Sequence, residues 1–110
     1  MDRLGIAVVE GCSMLPTLRP GDRLLVRYGA APVAGRVAVV LLPGRPLSVK
    51  RLGAFDTEGW WVERDNPDEG VDSWSLGHAV PPEDVVAMVV GRLWPRPSLL
   101  RRGGSAATAS

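Results

Sequence analysis

Residues 11–18 read GCSMLPTL. A serine sits between a cysteine and a methionine, with Pro-Thr-Leu close behind. The stretch joins two segments of strand character. Before it, Ile6–Val9 is an apolar run with β-branched members, and after it Asp22–Tyr28 (DRLLVRY) reads as a strand. Residues 14–18 are predicted to make a single helical turn that ends at Pro20-Gly21. Pro16 restricts the backbone of that turn and so helps present Ser13. Ser13 is then either a turn or N-cap residue, or a nucleophile. A hydroxyl does no chemistry at neutral pH without a base in hydrogen-bond reach, so the rest of the chain has to decide.

Outward from this stretch the pattern stays β. Val37–Leu42 reads as a buried strand closed by Pro43-Gly44, Leu47–Phe55 as another and Trp60–Glu63 as a fourth. Trp60 and Trp61 alternate, so one faces the core and the other faces out. Residues 65–82 carry turn chemistry and little periodicity, which predicts a long irregular loop of the kind that often holds function. Val85–Trp94 returns to strand character, with Gly91 as a bulge or bend. Residues 96–110 are rich in Pro and Arg and then in small polar residues, and they are expected to form a disordered tail behind a domain spanning 1–95. No helical period exceeds about two turns and no internal repeat is visible. The expectation is an all-β, single small domain.

Composition agrees. With 110 residues, 13 Gly and 10 Pro, the chain fits one domain of short strands joined by turns. A formal net charge of +1 gives no electrostatic call for nucleic acid. One cysteine, Cys12, excludes an intrachain disulfide and suits a reducing compartment. The N-terminus lacks the apolar core of a signal peptide. The longest apolar run, Val37–Leu42, is far shorter than the roughly 20 residues needed to span a bilayer. A cytoplasmic protein with no membrane anchor in this chain, no metal and no organic cofactor is expected.

Two side chains offer themselves as base for Ser13. His78 is the single histidine and Lys50 the single lysine; every other basic residue is arginine, which stays protonated. A buried lysine whose pKa falls from about 10.4 towards about 7 to 8 serves as a general base. Lys50 lies in LSVKRL, where Ser48 and Lys50 point one way and Val49 and Arg51 the other. Each residue also has a plain reading, His78 as a solvated loop residue and Lys50 as a surface lysine on a strand. Cys12 has one as well, as a small buried hydrophobe.

Four boxes in order then resemble the type I signal peptidases, Ser-Lys proteases related to the self-cleaving SOS repressors. Ser13, Met14, Pro16, Thr17 and Leu18 match the first box, and Lys50-Arg51 match the Lys-Arg pair. Asp65, Asn66, Asp72, Ser73, Gly77, Val80 and Pro81 match the late box, and Val90, Gly91 and Arg92 the closing Val-Gly-Arg. The opening Val9-Glu10-Gly11 before Cys12-Ser13 looks like that of the soluble maturation proteases of nickel-type superoxide dismutase.

The resemblance implies a LexA/signal peptidase-like fold of several coiled short sheets. It implies Ser13 as nucleophile, Lys50 as general base and the Ser13 N–H as an oxyanion donor. A peptide or protein precursor would bind as an added strand beside Gly11, Cys12 and Met14 and beside Ser48 and Val49. Asp65, Asn66, Asp72 and Ser73 would brace the walls around Lys50. The implied reaction removes an N-terminal propeptide, with a nickel superoxide dismutase precursor as substrate. Gly11 stands where many relatives carry a serine hydroxyl as second oxyanion donor. Arg64 stands where the family has Gly, Gly70 where a serine orients the lysine, and Trp74 where an arginine pairs with the aspartate at Asp72. Asp72 therefore needs Arg51 or Arg64 as its partner. These three changes define the rival reading, a catalytically impaired domain that binds peptides.

Overall fold

Strand by strand, the apolar pattern sets which face is covered. The computed structural model describes residues 3–100. In β2 (Arg23–Tyr28), Leu24 and Val26 are buried while Arg23 and Arg27 face solvent, the period-two alternation of a half-covered strand. β3 (Val37–Val40, VAVV) is buried at every position, as a strand covered on both faces must be. The remaining strands are β1 (Arg3–Val8), β4 (Ser48–Asp56), β5 (Gly59–Glu63), β6 (Val85–Trp94) and β7 (Ser98–Leu99). All pair antiparallel, in the order β1-β2-β6-β3-β4-β5, with β7 on β6. The all-β expectation holds, and the short sheets expected from the sequence are continuous with one another through β6. Register shifts in the β2–β6, β3–β6 and β4–β5 pairs mark irregular points that give the sheet its bends.

β3 divides the core. Val37 and Val39 face one cluster with Val9, Met14, Leu18, Leu24 and Val26, whereas Ala38 and Val40 face a second with Leu42, Leu52, Trp60 and Val62. The Ser13 loop anchors on the first cluster through Met14 and Leu18, both under 2% exposed. Lys50 lies on β4 opposite Ala38, two residues before Leu52 of the second cluster.

Two elements differ from the reading of the sequence. The loop over 65–82 contains a four-residue helix, α1 (Ser73–Leu76), and a short 3-10 turn (Pro82–Asp84). α1 is too short to show a period. It is defined by a reciprocal cap between Asp72 and Ser75 at its start and by Gly77 in the left-handed region at its end. The tail boundary at residue 96 falls too early, because Ser98 and Leu99 pair with Arg92 and Gly91. A Cβ at Gly91 would lie 2.6 Å from the Ser98 carbonyl oxygen, so the glycine admits this close approach. The rest of the expected tail, 101–110, lies outside the described residues. No helix among the described residues is long and apolar enough to cross a membrane.

Candidate active site

The loop from Val9 to Asp22 is closed at its neck by backbone bonds from the Val9 N–H to Asp22 and from the Gly21 N–H to Val9. Within it, the Leu15 N–H donates to Cys12 and the Leu18 N–H to Met14, which forms the single turn expected. Asn66 fixes the backbone at Cys12 and Ser13 directly. Its side-chain amide donates to the Cys12 carbonyl at 2.9 Å and its N–H to the Ser13 carbonyl at 2.8 Å. The Ser13 N–H donates to no acceptor among the described residues, which leaves it free for an oxyanion.

Behind the loop, Asp65 accepts a two-pronged bond from the Arg51 guanidinium at 2.9 and 2.7 Å and a third from the Thr17 hydroxyl at 2.5 Å. Arg51 also donates to the Gly35 carbonyl. This network ties the Ser13 loop to β4, the strand that carries Lys50. Burial pushes the Asp65 carboxyl up, but the bonds from Arg51 and Thr17 and the charge of Arg51 outweigh it and hold the group below the ordinary carboxylate range. Asp65→Asn is expected to lower stability by roughly 2 kcal/mol, because it leaves a mostly buried guanidinium without its counter-charge. Urea denaturation checks this at neutral pH. The difference should shrink as pH falls through the native Asp65 titration, since the wild type loses the same charge there.

Lys50 is 4% exposed. Its Nζ lies 2.8 Å from Ser13 Oγ, and Ser13 is its only hydrogen-bond partner among the described residues. Burial is the main cause of a lowered Lys50 pKa; the charge of Asp72 pushes it back up, and those of Arg64 and Arg45 add to the lowering. A cationic lysine donates to the serine, whereas a neutral one accepts its proton, and burial shifts the balance in the direction of the neutral form.

The cleft over the pair has two parts. One, of about 130 Å³, is lined by Val8, Glu10, Ser13 and residues 46–50. The other, of about 240 Å³, is lined by residues 10–13, Arg45, Ser48, Lys50 and residues 69–71. Residues 48–50 pair with β3 on one side, but β5 begins pairing only at Arg51, so their other side is open towards the Ser13 loop. Gly11, Cys12, Ser48 and Val49 line the cleft. Met14 does not. It is 1% exposed in the core and acts on the site only by anchoring the loop, since an unbranched apolar side chain next to a fixed turn fills core space. A larger cavity of about 640 Å³ lies along Arg27–Arg36 and β6, with neither Ser13 nor Lys50 in its lining.

The bracing residues take distinct places. Asp72 caps α1 and accepts from the Arg64 N–H, with the Arg64 guanidinium 3.7 Å from the same carboxylate. Burial pushes its carboxyl up, and the bonds from Ser75 and Arg64 together with the charge of Arg64 bring it below the ordinary range. Arg64 is therefore the partner that Trp74 cannot be, and Arg51 belongs to Asp65. Ser73 is fully buried and accepts from the Val62 N–H, tying α1 to β5. Trp74 is exposed and stacks on Trp61 at 4.6 Å between ring centroids. Trp60 is the core-facing member of its pair.

At Gly70, φ is +86° and a Cβ would lie 2.5 Å from the Ser13 Cβ. The position expected to orient the lysine instead admits the close approach of Ser13. His78 is exposed and lines neither part of the cleft. No group of three His, Cys, Asp or Glu suited to a metal occurs among the described residues.

Two contributors escaped the sequence reading. Thr17 holds Asp65. Arg92 reaches the Thr17 carbonyl and buried Asp22, both at 3.3 Å, and so clamps the far side of the Ser13 loop to β6. Both lay inside the boxes, at Thr17 of the first and Arg92 of the last, but a box does not say what its members touch.

No curated protein and no solved structure matches the chain. The sequence pattern of the Peptidase S24-like family matches residues 2–89, which takes in the Ser13 loop, Lys50, the 65–72 wall and most of the sheet. The chain therefore belongs to the Peptidase S24-like family, a family of serine-peptidase-like domains.

Proposed function

We propose that this domain is a serine endopeptidase working through a Ser13–Lys50 dyad. The observation that carries the reading is the 2.8 Å approach to the Ser13 hydroxyl of a buried lysine whose Nζ has no other hydrogen-bond partner among the described residues. Neutral Lys50 takes the Ser13 proton as Oγ attacks the scissile carbonyl, and the resulting ammonium gives a proton to the leaving amine. A water then attacks the acyl-serine, Lys50 again accepting its proton, and the ammonium returns that proton to Ser13 Oγ as the acyl bond breaks. The Ser13 N–H donates to the oxyanion. The substrate lies extended in the gap between Val8–Cys12 and the open side of Ser48–Lys50, where main-chain bonds hold it.

For the substrate we propose an N-terminal propeptide cut from a cytoplasmic precursor, with a nickel superoxide dismutase precursor as first candidate. The support is the Val9-Glu10-Gly11 opening before Ser13. The impaired peptide-binding alternative loses its main ground, because Arg64 pairs with Asp72 and Gly70 is sterically required. The test is intact-mass spectrometry of that precursor after incubation with wild type, Ser13→Ala and Lys50→Met. Scission of one bond near its N-terminus by wild type alone is expected. A folded wild type that cuts neither the precursor nor any member of an extended-peptide library would sink the endopeptidase reading.

A further inference from the structure

Arg64 is bound in a way that the dyad chemistry does not explain. Its guanidinium meets two groups of one short segment, donating to the Gly70 carbonyl and lying 3.7 Å from the Asp72 carboxylate. Its own N–H bonds Asp72 as well. The segment between those two anchors is the wall of the cleft beside Ser13. Gly70 packs so closely there that a Cβ would overlap the serine's own, and Val71 lines the cleft beside it.

We propose that Arg64 is a positioning residue for the dyad: by bridging the Gly70 carbonyl and the Asp72 carboxylate it holds segment 69–72 against Ser13 and balances the charge that Asp72 presents towards Lys50. The proposal rests on the dyad reading above and adds to it the residue that keeps the wall in place.

The charges around Lys50 are placed for this. Arg45 faces it from the turn between β3 and β4, Asp72 from the start of α1 and Arg64 from the end of β5. Glu10 and Glu69 line the cleft into which Nζ opens. Asp72 is the carboxylate whose field Lys50 feels most, and Arg64 is the cation bound to it. Removing Arg64 frees Asp72 to favour the ammonium; removing the charge of Asp72 does the opposite.

Lys50 is the single lysine of the chain. Carbon-13-labelled lysine therefore gives one side-chain resonance whose pH titration reads Lys50 without any turnover; Arg64→Lys adds a second resonance, and the Lys50 signal there is the one lost in Arg64→Lys/Lys50→Met. Four proteins are compared by that titration and by peptide cleavage: wild type, Arg64→Gln, Arg64→Lys and Asp72→Asn. In Arg64→Gln the Lys50 midpoint is expected to rise and kcat at neutral pH to fall about 10- to 100-fold as the wall loosens. Asp72→Asn should lower the midpoint. Arg64→Lys should restore the midpoint but only part of kcat, since one ammonium cannot reproduce a planar fork on two acceptors.

A wild type that cuts peptide while Arg64→Gln matches it in both readouts overturns the role of Arg64 and leaves the dyad standing. An Arg64→Lys no better than Arg64→Gln in midpoint also overturns it. If Arg64→Gln does not fold, Arg64→Lys and Asp72→Asn still carry the test, and an unshifted midpoint in Asp72→Asn overturns the proposal. A wild type that cuts nothing sinks the endopeptidase reading instead, while the resonance still decides whether Arg64 acts on Lys50.

Discussion

Lys50→Met is expected to end cleavage and, at the same time, to raise the melting temperature. The loss of rate should be about 10,000-fold, because the variant keeps the loop and cleft but has no group to take the Ser13 proton. The gain in stability has a separate cause. Lys50 is 4% exposed, its Nζ bonds only a neutral hydroxyl among the described residues, and burial lowers its pKa. Folding therefore opposes its protonation. Below the native Lys50 midpoint the folded protein carries a desolvated ammonium and bears the full penalty. As pH climbs from that midpoint towards the unfolded value of about 10.4, the unfolded chain holds the proton that the native state has released, and stability rises.

Methionine has a similar length and no charge, so Lys50→Met should be more stable at neutral pH and should lack that rise. Ser13→Ala should also end cleavage but should lower the melting temperature slightly, because it strips Lys50 of its partner. Thermal melts of the three proteins between neutral pH and pH 10 check the pattern. A destabilised Lys50→Met would mean that the ammonium is well solvated in the native state. In the wild type, kcat/KM should rise with pH through the same Lys50 midpoint, since neutral lysine is the working form.

Gly70→Ser is the second large effect. The family resemblance makes serine look like a restoration there, yet the expected result is loss. The backbone at Gly70 has φ of +86°, in the left-handed region, and a Cβ would lie 2.5 Å from the Ser13 Cβ. A side chain there costs about 1–2 kcal/mol in backbone strain, and it must also push the nucleophile away from Lys50. A displacement near 1 Å is enough to cost about 100-fold in rate. Gly70→Ser should therefore lose at least that much kcat and show a lower denaturation midpoint. An active, stable Gly70→Ser would show that segment 69–72 moves freely and that its wall is not set against Ser13.

Much of the architecture was legible one residue at a time. The strand character of DRLLVRY and VAVVLL follows from alternation and from unbroken β-branched runs, both local properties, and the strands form where the pattern places them. Trp60 and Trp61 divide between core and surface as a pleated strand requires. α1 and β7 were not legible. Four residues are too few to show a period, and two residues become a strand only because β6 offers them partners beside Gly91.

The site divides in the same way. The candidate nucleophile and base could be named from types and spacing, because only one lysine exists and only one serine sits in a Ser-Met-x-Pro-Thr-Leu box. Their partners could not be named. Arg51, Arg64 and Arg92 are alike as letters, yet one binds Asp65, one bridges Asp72 and Gly70, and one clamps Asp22 and Thr17. Which carboxylate an arginine meets depends on strand register and loop path, set by packing across long sequence separations. By itself, then, the sequence determined the all-β class, the strands and the candidate nucleophile and base. Only the tertiary structure decided that Lys50 lies buried and 2.8 Å from Ser13, because desolvation and charge pairing belong to the packed chain and not to any segment of it.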